Sequence, residues 1–363
     1  MVYMQRALEL ARRAVAISSP NPPVGAVIVK DGEIVGEGYT LSPGKSHAEV
    51  IAIKQAGYRA NGSALYTTLE PCCHFGKTPP CTGQIIDSGI KEVHIAFVDP
   101  NPLVDGKGIQ ELKDAGIKIY LDEYSDQVSE IIEAYVKFMQ SGEPFVVAKF
   151  AMSLDGKIST RSGQSKWITS EESRHVSRTL RSIVDGVLVG IGTVLQDDPM
   201  LTVRDQDGNS VDRQPLRIIL DSSARIPLSS NMLKQPGSTL IATSDPSVET
   251  ESRIKNLREM GVEIVSIPGD DGLVDLVELM KILGQRGILS IMVEGGSRVL
   301  GSFFDLDLVD KVVGFISPVI LGGEKSLSPV AGYGIESISD SIRLKNTSTR
   351  VIGDDVMITG YLR

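Results

Sequence analysis

The sequence predicts an α/β fold in two domains, on three observations. At 363 residues, the chain is much longer than a typical single domain. Short apolar runs of strand length alternate with segments of helical periodicity, a pattern typical of α/β proteins. The alternation breaks at Ser141-Gly142-Glu143-Pro144, where glycine and proline interrupt regular structure. We therefore expect one domain over residues 1–142 and a second over residues 143–363.

The composition disfavours nucleic-acid and membrane partners. Residues 1–142 carry 13 Lys and Arg against 17 Asp and Glu, and the remainder carries 24 against 29. Neither half has the basic surplus that binding to a phosphate backbone requires. No apolar run approaches the roughly 20 residues that span a bilayer. We expect small-molecule chemistry, with no nucleic acid and no membrane involved.

The N-terminal segment and the cysteines suggest a cytoplasmic protein. Residues 4–16 predict an amphipathic helix, and they lack the apolar core and cleavage site of a secretory signal. The three cysteines, Cys72, Cys73 and Cys81, fall within ten positions. This clustering suits a metal site in a reducing compartment better than a disulfide framework.

The first half reads as a helix, a hairpin and a series of βα units. Strands at 25–29 and 34–36 flank Asp31-Gly32, a dipeptide that closes tight hairpins. Asn21-Pro22-Pro23 forms a rigid loop before them. The remaining elements are predicted at 48–60 (helix, with Gly57 a weak point), 64–67 (strand), 81–88 (helix), 92–97 (strand), 108–115 (helix), 117–121 (strand) and 125–139 (helix).

The second half predicts a mostly parallel sheet that ends in an antiparallel hairpin. A strand at 145–152 opens it, and Gly353-Asp354 forms the turn of the final hairpin. The remaining strands are predicted at 186–190, 216–220, 239–243, 263–267, 290–294, 343–352 and 355–362, and helices at 170–183, 249–260 and 273–284.

His47, Cys72 and Cys81 offer three ligands of the kind that Zn²⁺ prefers, with a fourth tetrahedral position left for water. Glu49 is not needed as a ligand, and its carboxylate is suited to moving protons beside such a site. A catalytic zinc site is therefore expected. The alternative is a closed structural site in which Cys73 or His74 supplies the fourth ligand.

Several loops have the composition of ligand-binding turns. Asp99-Pro100-Asn101-Pro102 follows a predicted strand, where α/β sheets usually bind ligands. Glycine-bearing turns at 189–193 and 291–297 let backbone N–H groups approach a phosphate. Neither is the dinucleotide fingerprint, and each taken alone is more typical of a packing turn than of a cofactor site.

The pairing of His-x-Glu with Pro-Cys and a second cysteine resembles zinc-dependent base deaminases. With eight residues between Cys72 and Cys81, the chain resembles the deaminase half of the bifunctional riboflavin-biosynthesis deaminase–reductases. The segments 165–170 and 197–204, together with the two glycine turns, resemble the reductase half. The resemblance implies a cytidine-deaminase-like α/β/α domain followed by a dihydrofolate-reductase-like α/β domain, with Zn²⁺ and NADPH as cofactors.

The resemblance also implies a set of functional residues. Glu49 would be catalytic and His47, Cys72 and Cys81 would bind zinc. The deaminase substrate would contact Asn21, His74, Lys77, Asp99 and Asn101, with His74 and Lys77 near its phosphate. NADPH would contact Ala151, Trp167, Thr193, Asp197, Ser222, Gly296, Ser297, Arg298, Val299, Leu300, Gly301 and Ser302. The reductase substrate would contact Ser165, Arg181, Leu201, Arg204 and Glu294, with Lys149 a further candidate.

Interpretations without a ligand remain open for several of these positions. Asn21 and the Asp99–Asn101 loop are also typical of polar turns. Arg181 and Arg204 suit a phosphate because guanidinium binds it at two points, but either is equally consistent with a solvated surface charge. The chain departs from the family pattern at Thr40, where a histidine is frequent, and at Cys73, where serine is common.

The implied activity has two steps. The first is hydrolytic deamination of 2,5-diamino-6-ribosylamino-4(3H)-pyrimidinone 5′-phosphate. The second is NADPH-dependent reduction of the ribosyl group to a ribityl chain, by a chain expected to form a homo-oligomer. The rivals are a nucleic-acid base deaminase with an accessory domain and a non-catalytic, zinc-stabilised binding module.

Overall fold

The computed structural model describes residues 2–76, 79–121, 124–205, 207–244, 248–269 and 271–362, with the side chains of residues 248–251 excepted. The chain divides into two compact units, Met1–Gly142 (unit 1) and Glu143–Arg363 (unit 2). No helix among the described residues has both the length and the apolar character needed to cross a membrane.

Unit 1 is a mixed α/β unit built on a five-stranded sheet of order β2-β1-β3-β4-β5. The strand β1 runs antiparallel to both β2 and β3, and the other neighbours are parallel. Its described elements are α1 (Val2–Ala14), β1 (Gly25–Lys30), β2 (Glu33–Tyr39), α2 (Ala48–Ala56), β3 (Ala64–Thr67), α3 (Cys81–Asp87), β4 (Glu92–Ile95), α4 (Lys107–Asp114), β5 (Lys118–Leu121) and α5 (Ser125–Ser141).

Two glycines let helices lie directly against this sheet. A Cβ at Gly25 would lie 1.9 Å from the Ala7 carbonyl oxygen of α1, and one at Gly38 would lie 2.1 Å from the Ala48 carbonyl oxygen of α2. Gly38 pairs with Ala26, the neighbour of Gly25, so the two helices cover opposite faces. This packing brings the start of α2 to the end of the sheet from which the cysteine loops emerge.

Unit 2 is built on a nine-stranded sheet of order β10-β9-β8-β7-β11-β6-β12-β14-β13. All neighbours are parallel except those of the final hairpin, where β14 runs antiparallel to β12 and β13. The described elements are β6 (Phe145–Ser153), α6 (Glu171–Ser182), β7 (Gly186–Gly190), α7 (Ile191–Asp197), β8 (Leu216–Leu220), β9 (Thr239–Thr243), α8 (Val248–Glu259), β10 (Glu263–Ser266), α9 (Leu276–Gln285), β11 (Ser290–Val293), α10 (Ser297–Asp305), β12 (Lys311–Ser317), β13 (Lys345–Ile352) and β14 (Asp355–Tyr361).

The expected α/β architecture is confirmed. The differences lie at element ends, in one strand and in the short helices α7 and α10, for which no bounds were predicted. The helix predicted over 48–60 ends at Ala56 because Gly57 adopts φ +57°, and a 3₁₀ turn follows. The helix predicted from 273 begins at Leu276, since the Asp275 side chain caps it by accepting the Glu278 N–H at 3.0 Å.

The omission of β12 from the predicted strands was wrong. Its short apolar run is interrupted by Gly314, which weakens the strand pattern in the sequence. In the structure, a Cβ at Gly314 would lie 3.1 Å from the Phe150 ring on the neighbouring strand β6. The glycine therefore makes room for an aromatic side chain, which is a reason that only packing reveals.

Candidate active sites

Three potential metal ligands meet at one end of the unit 1 sheet. His47 immediately precedes α2, Cys72 lies in the loop after β3, and Cys81 begins α3. His47 Nδ1 lies 3.5 Å from Cys72 Sγ and 3.3 Å from Cys81 Sγ, and all three donor atoms lie within 4.8 Å of one another. Donor atoms around a tetrahedral Zn²⁺ lie roughly 3.3–3.8 Å apart, given bonds of about 2.0–2.3 Å. The spacing fits zinc.

The ionisation of the two thiols also fits a cation. A hydrogen bond between the two side chains stabilises the Cys72 thiolate and lowers its pKa to about 4, while the same pairing raises the pKa of Cys81. Without a metal, the two thiols therefore share one proton. Zinc binds cysteine as thiolate, so binding of a zinc ion would release that proton. Among the described residues, neither Cys73 nor His74 belongs to the ligand group. This disfavours the closed four-ligand site.

Glu49 is buried beside this cluster. It lies in the first turn of α2, is 4% exposed, and its Oε2 lies 3.6 Å from Cys81 Sγ. Burial raises the pKa of the Glu49 carboxyl to about 7. A carboxyl group with that pKa exchanges its proton readily near neutral pH, which is the property required of a general acid–base.

A second buried carboxylate, Glu70, connects the cysteine loop to the loop after β4. It is 2% exposed and accepts backbone N–H groups from Asp99 at 3.2 Å, Gly106 at 3.0 Å and Ile109 at 3.0 Å. Glu70 lies two residues before Cys72. The sequence pattern contains this residue in Glu70-Pro71-Cys72, but no separate role was predicted for it. The available signal was an acidic side chain three residues after the end of β3, in a segment that leads to a metal ligand.

The loop that Glu70 holds carries two of the predicted substrate residues. Asp99 is buried, and its Oδ1 accepts the Tyr135 hydroxyl at 3.0 Å and the Asn101 N–H at 2.9 Å. Burial raises the pKa of the Asp99 carboxyl to about 6. The Asn101 side chain accepts the Leu103 N–H at 3.0 Å. Both residues therefore shape their own turn, in addition to any contact with a ligand.

The other predicted deaminase residues have mixed surroundings. The His74 ring is half-buried, and its Nδ1 is buried without a hydrogen-bond partner among the described residues. Such a nitrogen needs a partner from outside the described protein atoms, such as water or a ligand. Asn21 is half-buried in a bend, where its N–H donates to the Ser18 carbonyl at 2.9 Å. Lys77 lies outside the described residues.

Unit 2 contains a cleft of about 1330 Å³ at the carboxyl ends of its central parallel strands. Every predicted cofactor and reductase-substrate residue lines it except Gly301. A Cβ at Gly301 would lie 2.2 Å from the Ala331 carbonyl oxygen, so that glycine permits α10 to pack against a loop. The residues at the cleft are Ala151, Trp167, Thr193, Asp197, Ser222, Gly296, Ser297, Arg298, Val299, Leu300, Ser302, Ser165, Arg181, Leu201, Arg204 and Glu294.

A compact ionic group lies at the end of β11. Arg181 Nε is 2.5 Å from Glu294 Oε1, and Arg181 Nη2 is 2.7 Å from Glu294 Oε2. Burial alone would raise the pKa of Glu294, but Arg181 outweighs it and leaves the pKa below its usual value. Lys149 lines the same cleft, and burial lowers its pKa. Arg204 instead donates to Thr202 Oγ1 at 3.1 Å and contacts the Met200 sulfur.

The middle of the cleft is built from glycine turns. Gly295 and Gly296 have φ +157° and +79°, and Gly296 caps α10. A Cβ added at either glycine would lie 3.3 Å or 3.6 Å from Thr193 Oγ1 of α7. The start of α7 and the glycine turn before α10 thus lie close together, and backbone N–H groups at such turns suit a diphosphate. Ser165 donates to Asp197 Oδ1 at 2.7 Å beside this strip.

Comparison with known proteins accounts for both units. Residues 144–358 match the RibD C-terminal domain, and residues 1–97 match the cytidine and deoxycytidylate deaminase zinc-binding region. The riboflavin biosynthesis protein RibD of Aquifex aeolicus is 43% identical, over 98% of this chain and 96% of its own. The chain belongs to the RibD family. The Escherichia coli RibD is 39% identical over 98% of this chain and 97% of its own.

Solved RibD structures are similar to this chain along its length. Acinetobacter baumannii RibD (form 1) superposes with a TM-score of 0.90 at 34% identity, covering 100% of this chain and 98% of that one. A Thermotoga maritima diaminohydroxyphosphoribosylaminopyrimidine deaminase/5-amino-6-(5-phosphoribosylamino)uracil reductase gives 0.87 at 35% identity, with coverage of 100% and 98%. Like other RibD proteins, this chain pairs a zinc-binding deaminase domain with an NADPH-dependent reductase domain.

Two positions where the chain departs from the RibD pattern have local explanations. Thr40 is buried, and its hydroxyl accepts the Val24 N–H at 3.1 Å, which ties the end of β2 to the start of β1. The Cys73 thiol lies 3.7 Å from the Leu103 carbonyl oxygen, and burial raises its pKa. Cys73 is therefore directed towards the loop after β4, and its thiol stays protonated.

Proposed function

We propose that unit 1 removes the 2-amino group of 2,5-diamino-6-ribosylamino-4(3H)-pyrimidinone 5′-phosphate. Unit 2 then reduces the ribosyl group of the product to ribityl with NADPH. The observation that carries the first step is Glu49, a carboxyl group buried against the three ligands with a pKa near 7. A purely structural metal site has no use for such a group. The Thermotoga maritima relative, which is named as both a deaminase and a reductase, supports both steps.

In the deaminase site, His47, Cys72 and Cys81 would hold Zn²⁺, which supplies the nucleophile by lowering the pKa of a bound water molecule. Glu49 would receive a proton and pass protons to the pyrimidine ring and to the departing amine. Its place in the first turn of α2 keeps the carboxyl group beside Cys81, as their 3.6 Å separation indicates. Glu49 thus links the nucleophile and the leaving group.

Substrate binding in unit 1 would fall to Asn21, His74, Lys77, Asp99 and Asn101. The buried Nδ1 of His74, which has no hydrogen-bond partner among the residues that the structure describes, supports a ligand contact there. Glu70 would act as a positioning residue, because its three backbone hydrogen bonds fix the loop of Asp99 relative to Cys72. The distance between the metal and the substrate loop would then depend on one buried carboxylate.

In the reductase site, NADPH supplies the hydride. The cofactor residues would be Ala151, Trp167, Thr193, Asp197, Ser222 and the turn at Gly296 to Ser302, with Gly301 acting through packing. Ser165, Leu201, Arg204 and Glu294 would contact the substrate. Arg181 would act with them by orienting Glu294, since the guanidinium already holds that carboxylate at two points.

One experiment separates this function from its rivals. Purified protein is analysed for zinc and assayed for ammonia release from the pyrimidine nucleotide, and in parallel from single-stranded DNA and RNA. We expect one zinc per chain and ammonia from the pyrimidine nucleotide alone. Release from nucleic acid would favour a base deaminase. Zinc with no ammonia from any substrate would favour a binding module.

We also propose a homo-oligomer in the cytoplasm. The strand β13 is an open edge of the nine-stranded sheet, and its Val351 is 76% exposed. Tyr333 and Ile338, in the segment between β12 and β13, are 98% and 86% exposed. Exposed edges and apolar side chains of this kind usually mark an interface. Light scattering should give more than one chain per particle, and Ile338→Asp should shift the particle towards a monomer. The clustered cysteines support a reducing compartment.

A further inference from the structure

One wall of the unit 2 cleft is formed by residues 198–204, called here the cleft segment. As the structure describes it, the segment forms neither helix nor strand, apart from an isolated bridge between Arg204 and Ser210. All of its residues except Val203 line the cleft. Leu201 is 3% exposed and adopts φ +51°, a left-handed conformation that is unfavourable for a leucine. Contacts from outside the segment must therefore hold its backbone.

The side-chain amide of Gln214 provides such contacts. Gln214 Oε1 accepts the Val203 N–H at 2.8 Å, and Gln214 Nε2 donates to the Val203 carbonyl oxygen at 3.0 Å. The same Nε2 donates to the Val211 carbonyl oxygen at 2.7 Å. These partners fix the orientation of the amide, because its oxygen faces an N–H and its nitrogen faces carbonyl groups. Gln214 thus pairs with the backbone of Val203 as a neighbouring strand would.

The loop before β9 limits the movement of Gln214. A Cβ added at Gly237 would lie 2.7 Å from Gln214 Cβ, so this loop lies directly against the side chain. Arg217 of β8 is 1% exposed and donates to the Pro236 and Gly237 carbonyl oxygens, each at 2.7 Å. The loop is thereby tied to the sheet. Gln214 consequently reaches the cleft segment from a fixed position.

Val203 lies in sequence between two residues that line the cleft, Leu201 and Arg204. Thr202 Oγ1 accepts the Arg204 Nε–H at 3.1 Å, which ties the Arg204 side chain to the same stretch of backbone. The position of the Val203 peptide therefore sets where Leu201 and Arg204 meet a ligand. Gln214 itself is not among the described residues that line the cleft, so it can act there only through the segment.

The other end of the cleft segment is held separately. Asp198, its first residue, accepts the Asn231 backbone N–H and the Asn231 side-chain N–H, both at 2.8 Å. Loss of the Gln214 amide should therefore displace residues 201–204 and leave the end of α7 in place. The proposed cofactor residues of α7 and α10 should then keep their positions.

We propose that Gln214 is a positioning residue of the reductase, which holds the Val203 peptide and thereby sets the fit of the pyrimidine substrate against residues 201–204. The inference rests on the proposed reductase function of unit 2. Because Gln214 acts on the segment and not on the cofactor turns, its loss should weaken the binding of the substrate and spare the binding of NADPH.

Steady-state kinetics of Gln214→Met tests this, because methionine keeps the length of the side chain and cannot replace the three hydrogen bonds. The KM for 5-amino-6-(5-phosphoribosylamino)uracil should rise about 5- to 20-fold, the effect of losing one or two neutral hydrogen bonds. The Kd for NADPH, from calorimetric titration, should change less than about twofold. Gln214→Glu keeps an acceptor for the Val203 N–H but has no donor for the carbonyl groups, so it should also raise KM. It serves as the second variant if Gln214→Met does not fold.

A double-mutant cycle shows whether Gln214 acts through the cleft segment. Arg204→Gln should raise KM on its own, because Arg204 is a proposed substrate contact. If Gln214 positions that contact, adding Gln214→Met to Arg204→Gln should raise KM by a smaller factor than in the wild type. A general loosening of unit 2 would instead weaken NADPH and substrate together.

Gln235→Met is the matched control, because it removes an amide hydrogen bond to the Asn231 carbonyl oxygen at 3.4 Å, away from the residues that line the cleft. It should leave KM near the wild-type value. A wild-type KM in folded Gln214→Met or Gln214→Glu, or KM factors that simply multiply in the double variant, would overturn the positioning role and leave the reductase function intact. Wild-type protein that does not oxidise NADPH with the deaminated compound would overturn both.

Discussion

Arg181 and Glu294 form a two-point ion pair inside the reductase cleft, with N–O distances of 2.5 and 2.7 Å. The side chains are 19% and 5% exposed, so both charges are largely removed from water. The guanidinium geometry that suggested a phosphate contact is here used to hold a carboxylate. Removing either Arg181 or Glu294 would leave the charge of the other side chain unpaired at a largely buried site.

Arg181→Gln should therefore lower stability by about 3 kcal/mol, the lower bound for breaking a buried pair. That corresponds to roughly 6–12 °C in Tm for a domain of this size. The same change should abolish reductase activity and spare ammonia release. Arg178→Gln is the control for stability, because Arg178 pairs at 2.7 Å with Glu171, whose side chain is 63% exposed. It should cost less than about 1 kcal/mol.

The stability gap between wild type and Arg181→Gln should depend on pH. Arg181 keeps the folded-state pKa of Glu294 below its ordinary value of 4.5. A carboxyl group with a depressed folded-state pKa contributes stability above its unfolded pKa and loses it as the pH falls through the folded value. Without Arg181, burial raises the pKa of Glu294 in the variant above 4.5, so the variant gains stability relative to wild type as the pH falls through that raised value. The gap should thus begin to shrink above pH 4.5 and continue to shrink as the pH falls further. Calorimetric scans between pH 7 and pH 3.5 would detect this, and a gap that widens in acid would contradict the pairing.

Cys81→Ala should lose zinc, and Cys73→Ser should keep it. The two cysteines are only eight positions apart in the sequence. Cys81 Sγ lies 3.3 Å from His47 Nδ1 and belongs to the group of three potential ligands, whereas Cys73 does not belong to that group among the described residues. Elemental analysis of the two purified variants gives the metal content directly. Ammonia release should disappear in Cys81→Ala. Full zinc content together with full deaminase activity in that variant would show that the ligand assignment is wrong.

Glu49→Gln should remove deamination and leave reduction intact. The amide keeps the shape of the side chain but cannot carry a proton, and such a role is typically worth about 10²–10⁴-fold in rate. Zinc should stay bound, because Glu49 is not among the three ligands. NADPH oxidation with the already deaminated compound should remain near the wild-type rate. Loss of both activities in folded protein would indicate one composite active site.

Glu70→Gln should raise the KM of the deaminase for its pyrimidine substrate while zinc remains bound. The amide replaces one acceptor oxygen with a donor that faces backbone N–H groups, so at least one of the three hydrogen bonds is lost. We expect KM to rise about 10-fold, the effect of one hydrogen bond to a charged group. Gln110→Glu, an exposed change on α4, provides a comparison. An unchanged KM in Glu70→Gln would rule out the positioning role.

Local sequence predicted most of the elements and several of the residues at both sites. The weak point at Gly57 and the turn at Gly353-Asp354 follow from the conformations that glycine permits, which depend on few neighbours. His47, Glu49, Cys72 and Cys81 were identified because the chemistry of zinc ligation restricts both the residue types and their spacing. The glycines at 295 and 296 could be assigned to a turn for the same reason, since a positive φ is a local property.

The tertiary structure alone decided which polar groups meet. Glu70 finds its three N–H donors 29 to 39 residues further along the chain, and Arg181 finds Glu294 across 113 residues. The burial that brings the pKa of Glu49 to about 7 is likewise a result of packing. The free energy of a buried charge depends on the atoms that surround it in space, and a sequence pattern does not contain their positions.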